Sequence, residues 1–273
     1  MDKIKNNLAF IFPGQGSQFK NMGKDFFEAF SSAKKLFFEA NEILGYDIQS
    51  ICFEDSNQKL NKTIYTQPAI YLNSIIINKI LNEKNVLPVI CAGHSLGEIS
   101  AIVCAGCLSF EDGLHLIKTR ATEMFSAGHK NPGSMIAIIN PFLDAIKHCT
   151  KNHNITIANY NSKKQIILSG KINDIQSISE EIKLNNLGKI IPLNVSGAFH
   201  SPLMQPVSKA LQTIINSLNF KDANIPVYQN FDSEPSTDSK SIKRKLLLQL
   251  ENPVKWDETI NKMKLHASHF IEV

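Results

Sequence analysis

The pentapeptide Gly93-His94-Ser95-Leu96-Gly97 constrains the fold more than any other feature of this 273-residue chain. It follows the apolar run Val86–Cys91, which has the pattern of a buried strand, and precedes a long helical stretch from Glu98. In that context G-x-S-x-G predicts a sharp strand-to-helix turn that exposes the serine hydroxyl. The helix behind the turn offers free N–H groups and a positive dipole end. Ser95 is therefore a candidate nucleophile, and a tight turn with a capping serine is the alternative.

Apolar periodicity predicts an α/β arrangement for the first half of the chain. A short strand over Leu8–Phe12 is followed by helical patterns over Met22–Ala40, Thr66–Leu81 and Glu111–Phe125. Pro68 is expected in the first turn of its helix, where the missing N–H removes no bond. Together with the strand before the serine turn, these elements favour a parallel sheet covered by helices.

The pattern changes after Gly128 and predicts a second, smaller domain. Strands and helices follow in the order Ser134–Asn140, Pro141–Lys151, Ile155–Ala158, Gln165–Leu168, Ile172–Leu184 and Lys189–Val195. That β-α-β-β-α-β order is the ferredoxin-like signature. We therefore expect a ferredoxin-like small domain at 130–195, inserted in a large α/β catalytic domain of residues 1–129 and 196–273. The large domain resumes with a helix near Pro206–Leu218, a strand at Pro226–Tyr228, a helix near Lys240–Leu250 and a strand at Phe270–Val273.

Composition argues against several classes of function. Lys and Arg total 29 against 25 Asp and Glu, and a formal charge of +4 is too small to indicate a nucleic-acid partner. Five cysteines without framework spacing favour a reduced, cytoplasmic protein. Cys104 and Cys107 form a C-x-x-C without the second pair that completes a zinc site, so no metal is expected. No apolar stretch reaches the about 18 residues of a membrane span.

A serine nucleophile needs a base, and the chain has eight histidines. His200 lies between a predicted strand and a predicted helix, where small residues surround Phe199 in the pattern of a ligand-lining loop. His94 adjoins Ser95 but points to another side of the same turn. From the residues alone His200 is favoured and His94 stays open.

A second glycine-rich loop, Phe12-Pro13-Gly14-Gln15-Gly16-Ser17-Gln18, follows the first strand. It lacks the third glycine of a dinucleotide-binding loop and the lysine of a P-loop, which argues against nucleotide binding. At the carboxyl end of a parallel strand it can present a backbone N–H to an oxyanion near Ser95. A simple turn is the alternative.

Four motifs together resemble the malonyl-CoA:acyl carrier protein transacylase family. FPGQGSQ near the start, GHSLGE at 93–98, GAFHS at 197–201 and QLENPVKW at 249–256 stand in the order of that family. The resemblance implies an α/β-hydrolase-like large domain with a parallel sheet and an inserted ferredoxin-like small domain. Family members usually continue beyond the strand that matches His269–Val273 with a Gly-Pro-Gly turn and a further segment, whereas the printed sequence ends there.

The resemblance also implies roles for catalytic residues. Ser95 would be the nucleophile, and His200 its base and later acid, with no carboxylate completing a triad. Backbone carbonyls near Asn252 would orient the histidine. The backbone N–H groups of Gln15 and Leu96 would form the oxyanion hole.

Four further residues would bind the acyl group. Arg120 matches the arginine that grips the malonyl carboxylate, in a chain that otherwise prefers lysine: Arg120 and Arg244 are its only arginines. Gln249 and Met124 match pocket-lining residues, although a buried helical methionine would explain Met124 equally well. Phe199 favours a malonyl over a methylmalonyl pocket, because members that use the branched unit carry a smaller residue there.

The implied function is transfer of a malonyl group from malonyl-CoA to the phosphopantetheine thiol of acyl carrier protein, with ping-pong kinetics, in support of fatty acid biosynthesis. No permanently bound cofactor is expected; malonyl-CoA is the substrate and acyl carrier protein the partner. Lys163, Lys164 and Lys189 are candidates for docking this acidic carrier.

Two alternatives stay open. A serine hydrolase or thioesterase of the α/β-hydrolase type would use a late histidine, such as His266 or His269, and an H-G-G-G-like loop, which the sequence lacks. A truncated, non-catalytic module that binds carrier protein is the other.

Overall fold

Two separate β-sheets organise the chain in the computed structural model, which describes residues 7–195 and 197–273. The strands are β1 (Leu8–Phe12), β2 (Ile90–Gly93), β3 (Gly133–Ile139), β4 (Thr156–Ser162), β5 (Gln165–Lys171), β6 (Lys189–Pro192), β7 (Val227–Tyr228), β8 (Pro235–Ser236) and β9 (His269–Glu272). The helices are α1 (Lys24–Ala29), α2 (Ser31–Leu44), α3 (Ile48–Glu54), α4 (Thr63–Glu83), α5 (Gly97–Cys104), α6 (Phe110–Lys130), α7 (Leu143–Asn152), α8 (Ile172–Leu184), α9 (Gln205–Ser217), α10 (Ser239–Leu248) and α11 (Trp256–Met263). Short 3-10 turns lie at Ser56–Asn61, Pro202–Met204 and Gln249–Glu251.

The first sheet has five strands in the order β8-β7-β2-β1-β9. Strand β1 pairs in parallel with β2 and β9, and β2 pairs in parallel with β7; only β8 is antiparallel. Successive side chains enter different cores, because Phe10 and Phe12 belong to the main hydrophobic cluster and Ala9 to a smaller one on the opposite face. Both faces are covered, as a parallel sheet requires.

The second sheet has four antiparallel strands in the order β4-β5-β3-β6. Its core with α7 and α8 is built mainly of isoleucines, among them Ile138, Ile146 and Ile178. The alternate residues Met135 and Ala137 of β3 join the main cluster of the large domain. The β-α-β-β-α-β order and the two-sheet α/β class agree with the predicted fold.

The predicted small domain, 130–195, contains all of this second sheet, whose strands run from Gly133 to Pro192. The proposed junction at residue 196 and the first six residues of the proposed large domain lie outside the described residues.

Several predicted elements have different bounds in the structure. The predicted helix Met22–Ala40 is two helices, because Phe30 adopts an extended conformation between α1 and α2. Two helices, α3 and α11, were not predicted. The strand predicted over Val86–Cys91 starts later, as β2, and the helix predicted from Glu111 starts one residue earlier and continues to Lys130.

The prediction that Pro68 lies in a first helical turn is wrong. Helix α4 begins at Thr63, so Pro68 lies further inside it and cannot donate to the carbonyl of Ile64. The hydroxyl of Tyr46 donates to that carbonyl at 3.3 Å. A tertiary hydrogen bond thus replaces the one that proline removes.

The two domains are joined by backbone hydrogen bonds between β4 and the segment after α10. The amide of Val254 donates to the carbonyl of Ala158 at 2.8 Å, and the amide of Tyr160 donates to the carbonyl of Val254 at 2.9 Å. This pairing fixes the small domain beside the 249–256 motif. No helix within the described residues is long and apolar enough to cross a membrane.

Candidate active site

The turn between β2 and α5 holds Ser95 in a conformation that few non-glycine residues adopt. Its φ is 54°, in the left-handed region. The flanking glycines permit the turn: a Cβ on Gly93 would lie 1.9 Å from the carbonyl of Gly97, and a Cβ on Gly97 would lie 2.2 Å from the carbonyl oxygen of Phe12. The serine hydroxyl is thereby directed away from the helix, as the sequence pattern predicts.

Ser95 and His200 form a hydrogen-bonded pair. The serine Oγ lies 2.7 Å from His200 Nε2. The other ring nitrogen, Nδ1, lies 3.0 Å from the carbonyl oxygen of Gln249 and 3.2 Å from that of Asn252. Because carbonyl oxygens only accept, Nδ1 carries the hydrogen and Nε2 is free to accept from the serine.

His200 is only 3% exposed. Burial, reinforced by the positive charge of Arg120, lowers its pKa to about 3. The ring is therefore neutral at physiological pH, in the state that a general base requires. Within residues 7–195 and 197–273 no other histidine is hydrogen-bonded to the Ser95 hydroxyl: His94 Nε2 lies 2.9 Å from Asn161 Oδ1, and His266 and His269 are exposed.

Arg120, on α6, lies on the other side of the serine and is 2% exposed. Its Nη2 donates to Ser95 Oγ at 2.9 Å and to Gln249 Oε1 at 3.4 Å, and its Nη1 donates to Gln67 Oε1. Burial lowers the pKa of Arg120 to about 10, so the guanidinium stays charged at neutral pH. Among the described residues no carboxylate forms an ion pair with it.

Gln249 is hydrogen-bonded to Ser95, His200 and Arg120. Its Nε2 donates to the carbonyl of Ser95 at 2.9 Å, while its own carbonyl accepts from His200. Met124 accepts at its sulfur from Gln67 Nε2, at 3.3 Å, and Phe199 is buried next to His200.

Gln15 and Leu96, whose backbone N–H groups are the candidate oxyanion donors, line the same cavity as Ser95. Across the described residues neither N–H has a protein acceptor, so both can bind an oxyanion. The Gln15 side chain is held by the Thr63 hydroxyl, which donates to its Oε1 at 2.8 Å. Gly14 allows the loop to approach the serine turn, since a Cβ there would lie 2.6 Å from the carbonyl oxygen of His94.

A cavity of about 440 Å³ contains these groups and lies between the two domains. The large domain contributes Gln15, Gly16, His94, Ser95, Leu96, Arg120, Met124, Phe199 and His200, and the small domain contributes Met135, Ala137, Asn159, Asn161, Gln165 and Ile167. Gln249 lies behind this lining, bonded to Ser95 and Arg120. All eight site residues predicted from the sequence thus meet in one place. No cluster of metal-ligating side chains is present among the described residues.

Sequence reasoning missed three residues of the site. Gln67 bonds to Arg120, Asn230 bonds to the Gly93 carbonyl and the Ser95 amide, and Glu98 bonds to Asn230. Gln67 gave no signal, because it lies in an otherwise apolar helix. Asn230 had a signal, because it lies two residues after a predicted strand, at the edge of a parallel sheet where sites form.

Comparison with known proteins identifies the family. The family model described as an acyl transferase domain matches residues 9–273. A malonyl CoA-acyl carrier protein transacylase of Bacillus subtilis is 39% identical over 98% of this chain and 86% of that protein. A solved structure titled MCAT from Streptococcus pneumoniae matches with a TM-score of 0.91 and 34% identity, over 97% of this chain and 88% of that one.

A second solved structure, described as a type II PKS acyl-carrier protein in complex with its malonyl-transacylase, matches with a TM-score of 0.93 and 32% identity, over 97% of this chain and 88% of that one. The resemblance drawn from the four motifs is therefore confirmed. The chain is an acyltransferase that belongs to the acyl transferase domain family and, within it, to the malonyl CoA-acyl carrier protein transacylases.

Proposed function

We propose that this chain transfers malonyl from malonyl-CoA to the phosphopantetheine thiol of acyl carrier protein, through a malonyl-serine at Ser95. The observation that carries the proposal is the buried guanidinium of Arg120, 2.9 Å from the Ser95 hydroxyl, which forms no ion pair within the described residues. The charge of buried Glu98 acts on it only from a distance, and a malonyl group brings a free carboxylate that can bind it directly. The planar guanidinium can bind it through two parallel hydrogen bonds.

In the first half-reaction His200 accepts the proton of Ser95 as Oγ attacks the thioester carbonyl. The N–H groups of Gln15 and Leu96 stabilise the oxyanion; one such donor is typically worth about 10²–10³ in rate. The tetrahedral intermediate then collapses, the C–S bond breaks, and the coenzyme A sulfur takes the proton from His200. The product is malonyl-Ser95.

In the second half-reaction the carrier thiol attacks malonyl-Ser95. His200 accepts the thiol proton and returns it to Ser95 Oγ as the ester bond breaks. The same Arg120 contact holds the malonyl carboxylate in both halves. Because coenzyme A leaves before the carrier thiol reacts with malonyl-Ser95, ping-pong kinetics are expected. The chemistry uses protein groups alone, so we propose no permanently bound cofactor. The relative whose title describes a complex with an acyl-carrier protein supports the choice of acceptor.

Acyl selectivity, carrier docking, cellular location and pathway belong to the same proposal. Phe199 lines the cavity, and its size is expected to favour malonyl over methylmalonyl. Lys163 and Lys164 are exposed in the turn before Gln165, which lines the cavity, and Lys189 is exposed at the start of β6; these lysines are our candidates for carrier docking. We place the protein in the cytoplasm, in fatty acid biosynthesis, on the basis of its five free cysteines and of its relatives.

The test is intact-mass analysis after mixing with malonyl-CoA. Wild type is expected to gain one malonyl group per chain, and Ser95→Ala none. Ser217→Ala, an exposed serine at the end of α9, is the matched control and should label like wild type. Full labelling of Ser95→Ala would refute the assignment of the nucleophile. Preferential labelling by methylmalonyl-CoA in competition would refute the role of Phe199.

A further inference from the structure

The backbone of the Ser95 turn is strained, and the side chain of Asn230 is hydrogen-bonded to it. Asn230 lies just after β7 and is 1% exposed. Its Oδ1 accepts from the amide of Ser95 at 2.7 Å, and its Nδ2 donates to the carbonyl of Gly93 at 2.7 Å. A single amide group therefore bridges the Gly93 carbonyl and the Ser95 amide, which flank His94 and lead into the left-handed residue.

This bridge has a consequence for the oxyanion hole. Because Asn230 takes the N–H of Ser95, that N–H cannot point at the substrate. The candidate donors without a protein acceptor among the described residues are those of Gln15 and Leu96, which line the cavity. The Ser95 amide thus bonds to Asn230, while the Ser95 hydroxyl bonds to His200 and Arg120.

Asn230 is itself held in place by a buried acid that the acyl-transfer steps do not use. Its backbone amide donates to Glu98 Oε2 at 2.7 Å, and its carbonyl accepts from the amide of Lys255 at 3.2 Å. Glu98 is fully buried, and its other oxygen accepts from Gln229 Nε2 at 3.2 Å. These contacts come from α5 and from the segment before α11, so the amide of Asn230 has little freedom to turn away.

We propose that Asn230, fixed by Glu98, is a positioning residue for acyl transfer: it keeps the Ser95 hydroxyl within hydrogen-bond distance of His200 and Arg120. This inference rests on the proposed function. We expect Asn230 to affect the attack by Ser95 and not the affinity for substrate, because Asn230 does not line the cavity.

The first test compares Asn230→Ala with wild type in malonyl transfer. The loss of two buried hydrogen bonds is expected to lower kcat by about 10- to 100-fold and to leave KM within about twofold. Asn78→Ala is the matched control: Asn78 is also buried, on α4, but its contact is with Cys104, away from the serine. Circular dichroism and thermal unfolding establish that each variant is folded.

A second variant, Asn230→Asp, keeps the size of the side chain and therefore leaves no cavity in the fold. A protonated carboxyl has nearly the shape of the amide and can donate to the Gly93 carbonyl, whereas an ionised one only accepts. The ratio of variant to wild-type kcat is therefore expected to fall at least tenfold as pH rises through the pKa of the new carboxyl. The groups around this position, Glu98, His94, Arg120 and His200, are present in both proteins, so the wild-type profile measures their titration without the new carboxyl.

An unchanged kcat in Asn230→Ala, an equal loss in Asn78→Ala, or a pH-independent ratio for Asn230→Asp would overturn the inference. The rate at which phenylmethanesulfonyl fluoride modifies Ser95 separates this inference from the proposed function. Asn230→Ala is expected to slow that modification about tenfold or more, whichever acyl donor the enzyme uses. Failure of wild type to transfer malonyl would refute the proposed function alone.

Discussion

His200 is hydrogen-bonded to backbone carbonyls, whereas the catalytic histidine of many serine enzymes is hydrogen-bonded to a carboxylate. The carbonyls of Gln249 and Asn252 fix the ring and its tautomer, but they add no negative charge that would favour the imidazolium. Arg120 lies nearby and disfavours it further. The base is therefore neutral over a wide pH range.

This electrostatic setting predicts the pH profile of serine acylation. A base acts when unprotonated, and a pKa lowered to about 3 keeps His200 unprotonated well below the ordinary value of 6.5. The kcat/KM for malonyl-CoA is expected to show no falling limb near pH 6.5 as pH decreases. Steady-state kinetics in a constant-ionic-strength buffer series measures it, and an inflection near 6.5 would contradict the account.

Substitution of Arg120 tests the carboxylate contact. Arg120→Ala and Arg120→Lys are expected to lower kcat/KM for malonyl-CoA by about 10- to 100-fold or more, because lysine cannot supply two parallel bonds. Transfer from acetyl-CoA should fall much less. Arg244→Ala, the only other arginine and an exposed one, is the control. Equal losses on the two donors would argue against the contact.

At the scale of single residues, local motifs in the sequence indicated the site. The structure added the partners that are distant from those motifs in the sequence. Ser95 was identified from the residues alone, because two glycines and a strand-to-helix context define its turn. From the residues alone the choice between His200 and His94 was open; the family resemblance implied His200, and the 2.7 Å contact with Ser95 agrees with it. Gln67 could not be found, because its role depends on packing between α4 and α6.

At the scale of elements, the turn between β2 and α5 is possible only because Gly97 packs against the end of β1. A Cβ there would lie 2.2 Å from the Phe12 carbonyl oxygen, so strand or helix would have to move.

Elements that depend on such tertiary contacts were the ones predicted least well. Phe30 breaks a continuous helical pattern, and neighbouring Phe27 packs edge-on against Phe37 and Phe53.

Gly97→Ala is accordingly expected to lower the free energy of unfolding by about 1–3 kcal/mol, as overpacking does, and to abolish serine labelling. Gly45→Ala is the comparison: Gly45 has a positive φ, which Gly97 does not, and a Cβ there meets nothing within 4 Å. It should cost about 1 kcal/mol and leave labelling intact. Urea unfolding and intact-mass labelling measure both effects. Equal labelling by the two variants would contradict the steric explanation.

At the scale of the whole molecule, one segment connects the small domain to the catalytic histidine. Residues 249–256 supply the two carbonyls that bind His200, and Val254 of the same segment pairs with β4. The cavity therefore lies between two domains whose backbones are hydrogen-bonded beside the base. The motif pattern predicted both domains, but it could not show that β4 and this segment are paired.

Hydrogen exchange tests that connection. The amides of Val254 and Tyr160 are expected to exchange as slowly as amides in the β3–β5 ladder, because all of them are held in strand-like pairs. Site-resolved exchange followed by NMR measures the rates. Exchange of both amides as fast as that of exposed loop residues would show that the domains are not joined there.

The central claim is that malonyl-Ser95 passes its acyl group to a carrier thiol and not to water. The direct measurement is a chase: enzyme labelled with malonyl-CoA, freed of excess reagent, is mixed with phosphopantetheinylated acyl carrier protein and both proteins are weighed. The account predicts that the enzyme loses its adduct as the carrier gains one malonyl group. Release of free malonate with an unmodified carrier, at the same rate with and without it, would contradict the account and favour a hydrolase.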